Sequence, residues 1–112
     1  MTDGPIDPAV LSDLQEAMGA EFASELVATF LDEGPAMLKE LQEAITNGDA
    51  DGFRRAAHSV KSNANVFGAT ALAELARLLE LGGLSENAEA DIAAASELEA
   101  EFGRAAAALK GT

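Results

Sequence analysis

The segment Gly52-Phe53-Arg54-Arg55-Ala56-Ala57-His58-Ser59-Val60-Lys61-Ser62-Asn63-Ala64-Asn65-Val66-Phe67-Gly68 decides the fold, because its apolar and polar residues separate at helical spacing. Place His58 at 0° and advance about 100° per residue. Arg54 then falls near about −40°, Asn65 near about −20°, Ser62 near about 40° and Lys61 near about −60°. Phe53, Ala56, Val60, Ala64 and Phe67 gather between roughly 160° and 240°. The segment therefore reads as an amphipathic helix with His58 at the centre of its polar stripe. A histidine buried in the core does not fit that position.

The same region differs in charge from the rest of the chain. The 22 residues from Gly52 to Ala73 contain no Asp or Glu, although the chain carries 20 acidic residues. Arg54, Arg55 and Lys61 supply three of the seven basic residues, and His58 is the only histidine. Residues three and four apart are neighbours on a helix. Cations thus surround one imidazole on a protein that otherwise repels anions, which suits a histidine that carries a negative group such as phosphate. Without this surrounding pattern, an ordinary surface histidine would be the better reading.

The chemistry agrees. An unperturbed imidazole is mostly uncharged at neutral pH. Its free nitrogen is already a nucleophile and needs no adjacent base. Positioning and charge neutralisation dominate phosphoryl transfer. Lys61, one turn on, can neutralise phosphoryl oxygens as a point charge. Ser62 is small and leaves the imidazole open to a second protein. Asn65, two turns along, can orient through its side chain.

Composition narrows the remaining classes. The 112 residues suit one domain. A net charge of −13 argues against nucleic acid and against anionic membranes. The absence of cysteine excludes disulfides and thiolate metal sites. One histidine leaves few nitrogen ligands for zinc, so no metal site is expected. No apolar run is long enough to span a bilayer. Met1-Thr2-Asp3-Gly4-Pro5 lacks the features of a signal peptide, so a soluble cytoplasmic protein is expected.

The periodicity is helical nearly throughout, and five helices are expected, at about 7–18, 21–46, 50–67, 70–81 and 86–109. Asp7 and Pro8 open the first, with Val10, Leu11 and Leu14 on its apolar side and Gly19 at its end. The second carries Phe22, Leu26, Phe30, Met37, Leu38, Leu41 and Ile45, and Pro35 should kink or split it. Asn47-Gly48 closes it. Asp49 or Asp51 caps the third, and Gly68 stops it. Thr70 caps the fourth, which carries Leu72, Leu75 and Leu79 and ends at Gly82-Gly83. Ser85 or Asn87 opens the fifth, with Ile92, Ala95, Phe102, Ala105 and Leu109 inward and Gly111 as terminator. All five phenylalanines read as core. The expected architecture is all-α: an antiparallel four-helix bundle with an additional N-terminal helix.

The segment from His58 to Gly68 resembles the motif of the histidine-containing phosphotransfer (HPt) domain: His, two residues, Lys, a small residue, five residues, Gly. His58, Lys61 and Gly68 match in identity and spacing, and Ser62 stands where glycine is commonest. The Arg54-to-Ala57 lead-in, the trailing Gly68-Ala69 and the preceding Gly48-to-Asp51 turn are also similar. The resemblance extends from about residue 6 to 110. It implies a phosphorelay intermediate without autonomous kinase activity. His58 would be the phosphorylated nucleophile and Lys61 would stabilise the phosphoryl group. Ser62, Asn65 and Arg54 would lie where a receiver docks, and Gly68 would be structural. The implied partners are response-regulator receiver domains and the receiver of a hybrid histidine kinase. The chain would be a monomer without a cofactor, the Mg2+ belonging to the receiver. The family often places a polar residue on the next helix facing the histidine, and Glu80 is the positional candidate.

Two other readings compete. A helical adaptor would bind a receiver without carrying phosphate, but it needs neither His58 nor Lys61. A small enzyme using His58 as general acid or base wants a deep pocket with a second titratable group beside it. An acyl-carrier protein would show an Asp-Ser-Leu attachment motif, which is absent.

Overall fold

A computed structural model describes residues 5–110, and among them every regular element is helical. The helices are α1 (Pro8–Met18), α2 (Ala20–Asn47), α3 (Ala50–Val66), α4 (Thr70–Gly82) and α5 (Ala88–Lys110). Gly111 lies outside the described residues. Contacts link α2 to α3, α3 to α4, α4 to α5 and α5 back to α2, a closed ring of four, and α1 lies against α2 and α3. Phe30, Phe53, Leu41, Val60, Leu72, Leu98 and Leu109 fill the interior. Phe30 stacks on Phe67 and meets Phe102 edge-on, with ring centroids 5.1 and 5.3 Å apart.

Local signals set most helix ends. Asp7 accepts the amide of Ala9, with Pro8 in the first turn, and Asp49 accepts the amide of Gly52. Gly48 adopts the left-handed conformation, φ 66°, that stops α2. Gly68, at φ 71°, does more than stop α3. Its carbonyl accepts the amide of Asp7 at 2.7 Å, and a Cβ there would sit 2.7 Å from Val10 Cβ. The start of α1 is thus seated on this glycine.

The structure corrects several expectations. α2 is not split at Pro35; it runs on for 28 residues. The proline withholds one bond from the carbonyl four residues back, and neighbouring bonds and packing carry the helix through. Gly34 beside it makes room for the Phe102 ring, which would collide with any Cβ. Thr70 is not the cap of α4: Ala69 holds that position, without a side-chain bond, and its amide reaches back to Ala64. Phe22 is 44% exposed, while the adjacent Ala23, 1% exposed, takes the inward position. Ile92 is 56% exposed, and Asp91 is buried in its stead. Asp91 accepts both the amide and the hydroxyl of Ser85, fixing the turn before α5, while Asn87 accepts the Ala90 amide at the helix start. Rotating α5 to serve that turn carries Ile92 outward.

Candidate functional site

The stripe opposite His58 is buried as the spacing requires: Phe53, Ala56, Val60, Ala64 and Phe67 are each at most 3% exposed. Ala57, fully buried, widens it towards α4. This packing leaves the imidazole on the outside of the molecule, its side chain 57% exposed.

α4 returns alongside α3 after a connection of three residues, 67–69. It brings Glu80 level with His58. Glu80 Oε2 lies 2.8 Å from His58 Nδ1, and Oε1 lies 2.6 Å from Lys61 Nζ. One carboxylate therefore ties both residues across the seam between the helices. The hydrogen bond from Lys61 is the main influence holding the Glu80 carboxyl below its ordinary range; partial burial opposes it, and the bond with His58 adds to it. An ionised carboxylate only accepts, so Nδ1 must donate. The hydrogen of the neutral ring then sits on Nδ1, and the lone pair of Nε2 points away from α4. Ser62 Oγ is 3.4 Å from Nε2, at the long limit of a hydrogen bond, and its hydroxyl is free to rotate. In that tautomer Nε2 is the ring nitrogen that Glu80 leaves unengaged, on a side chain that is 57% exposed.

The other sequence-derived residues are placed less closely. Asn65 is exposed on the same stripe. Arg54 is exposed too, and its guanidinium passes over Gly83 at the end of α4: a Cβ at Gly83 would be 3.0 Å from it. A cation suits a helix C-terminus. Among the described residues neither Arg54 nor Arg55 forms an ion pair, so neither is neutralised by Asp51. No group of three or more His, Cys, Asp or Glu among these residues could hold a metal ion, and no described helix is long and apolar enough to cross a membrane. The contact that sequence reasoning placed only roughly is Glu80. Its signal was the short α3–α4 turn: His58 and Glu80 lie eight and ten residues from the helix ends that flank it, nearly level at about 1.5 Å per residue.

Comparison with known proteins bears on this geometry. The family model of the Hpt domain matches residues 25–110. The crystal structure of histidine-containing phosphotransfer protein B from Pseudomonas aeruginosa PAO1 is similar, with a TM-score of 0.83 and 30% sequence identity. The match covers 98% of this chain and 95% of that one. No curated protein sequence matches.

Proposed function

This chain belongs to the Hpt domain family, and from that premise we propose that His58 is the phosphoryl carrier of a phosphorelay. In this reading Nε2 of His58 accepts a phosphoryl group from an aspartate on a receiver domain and passes it to an aspartate on another. The observation that carries it is the shared Glu80 carboxylate, which fixes the tautomer while leaving Nε2 open on an exposed side chain. Lys61 Nζ, already at this seam, neutralises the phosphoryl oxygens. A protein surface can close over Nε2 without entering a cleft, and Ser62, Asn65 and Arg54 form part of the ground it covers.

The finer architecture follows the same reading. The ring of contacts among α2, α3, α4 and α5 supports an antiparallel four-helix bundle with α1 as an addition. The protein acts as a cytoplasmic monomer with no cofactor of its own, and the Mg2+ resides in the receiver. It has no kinase activity.

Incubation with a panel of phosphorylated receivers tests the proposal. Label should appear on the chain, stable to alkali and labile to acid as a phosphoramidate is, and His58→Ala should remove it. ATP alone should give no label. Label persisting on the His58→Ala protein overturns the assignment.

A further inference from the structure

The seam between α2 and α5 holds two cavities, of about 460 and about 270 Å3. Lining positions of the first recur seven residues along in the second. Leu38 gives way to Ile45 on α2, and on α5 Phe102 gives way to Ala95 and Gly103 to Ser96. Seven residues are two helical turns, about 10 Å at about 1.5 Å per residue. The cavities are thus successive sockets of one groove, at the spacing of a third helix laid along the seam. We propose that this groove seats an amphipathic helix of a partner protein, with apolar anchors seven residues apart and basic residues beside them, while His58 stays open on the far side. The seating itself does not depend on the phosphorelay reading, because no phosphate takes part in it.

The sockets are apolar where the anchors enter. Leu38, Ile45, Phe102 and Ala95 form the floors and are each at most 9% exposed. Gly103 and Ser96 keep the α5 wall low, and a Cβ at Gly103 would meet nothing within 4 Å. Ile92, one of the exposed apolar residues of α5, extends the apolar surface along the second socket. Gln42 lines both sockets and donates to Glu99 across the seam. Recognition of this kind places the apolar face of a helix in a groove through anchors at helical spacing.

Charge selects the occupant. Glu99 at the rim and Glu43 on the ledge beside it form no ion pair among the described residues. Lys39 is the one cation among the residues lining these surfaces. The whole chain carries a net charge of −13, so a second copy would bring like charge to the groove. Basic flanks complement both the rim and the net charge. In the ring of four helices this seam lies opposite the one between α3 and α4, and no residue of α1 lines either socket. A helix held here therefore leaves His58 uncovered.

The probe is a synthetic peptide of leucine and lysine with leucines seven apart on one face. Its length is about 18 residues, enough to cover both sockets. Two controls are a peptide of the same composition with its order scrambled and a leucine–glutamate peptide. Each is titrated into the nitrogen-15-labelled intact chain and into its Gly103→Phe and Ser96→Phe variants. Both substitutions keep the charge, fill one socket each and lie at exposed positions, and circular dichroism checks their helix content. The patterned peptide should shift resonances of residues 35–46 and 92–103. The scrambled peptide and each variant should bind roughly tenfold more weakly or worse, and the acidic peptide should not bind. His58 should take label from phosphoramidate at the parental rate with the patterned peptide bound. Equal affinity for patterned and scrambled peptides, or for parent and both variants, overturns the inference, as do shifts confined to α3 and α4. Self-association of the parental chain that Gly103→Phe abolishes gives the groove to a second copy and overturns it too. Loss of His58 labelling only when the peptide is bound overturns the claim that the site stays open. Loss in the free chain counts instead against the phosphorelay reading.

Discussion

Two seams of the molecule make an instructive contrast. Between α2 and α5 lies a cleft of about 460 Å3, floored by Leu38 and Phe102 and rimmed by Lys39, Gln42 and Glu99. Its one cross-helix polar contact is a hydrogen bond from Gln42 to Glu99 at 2.8 Å. Between α3 and α4 an imidazole, a carboxylate and an ammonium converge. The Arg77–Glu74 and Arg104–Glu101 pairs are each confined to one helix. The pairs made by Glu80 instead join two helices. Depth serves a small-molecule enzyme, which must exclude water. A carrier that offers its group to another protein needs an open nucleophile and a fixed tautomer. The α3–α4 seam, where polar side chains join two helices, is therefore the one that suits the proposed carrier.

The largest effects should separate the two seams. His58→Gln should abolish phosphoryl acceptance entirely and leave the thermal midpoint unchanged, since the ring is exposed and lies opposite the core. Phe102→Ala should do the reverse. It empties a ring packed against Gly34 and Phe30, at a cost of about 3–5 kcal/mol in denaturant unfolding, while the folded fraction still takes label. Loss of labelling in folded Phe102→Ala would join the seams functionally and break the contrast.

Ser62→Trp is the next sharpest change. It places a large ring one turn from His58, where a receiver must approach. Transfer from a receiver should drop roughly tenfold or more, as expected when a bulky ring is forced into a close-packed contact, while labelling by phosphoramidate and helix content by circular dichroism stay unchanged. Parental transfer rates would mean that the receiver docks elsewhere. Lys61→Ala should slow receiver transfer by up to roughly tenfold without preventing acceptance. Equal rates would reduce Lys61 to a surface residue.

The smallest effect is on pH stability. Glu80 has its carboxyl depressed in the folded chain, chiefly by Lys61. Its contribution is therefore complete above the ordinary glutamate range and is lost as the pH falls through its lowered folded value. Acid titration of the unfolding midpoint should show this decline, and it should be shallower in Lys61→Ala. An equal slope would mean that the pair does not help join α3 to α4.

How much of this was legible in the sequence depends on what set each residue's position. The His58 stripe was readable because one helix's own period places Phe53, Val60 and Phe67 opposite the imidazole. Asp7, Gly48 and Gly68 were readable because caps and left-handed turns act locally. Ile92 was misread because Asp91, a polar residue, takes an inward position to hold Ser85. Phe22 was misread because Ala23, one residue on, takes the inward position at the start of α2. Glu80 lay between these cases. Its own helix says nothing of His58, and only the length of the α3–α4 turn brings them level.

The central claim is that phosphorus goes to Nε2 of His58 because Glu80 holds the proton on Nδ1. The direct measurement is phosphorus–nitrogen correlation by nuclear magnetic resonance on the chain after transfer from a phosphorylated receiver. The account predicts a single phosphorus signal coupled to His58 Nε2. Phosphorus on Nδ1, or on any other residue, would contradict it.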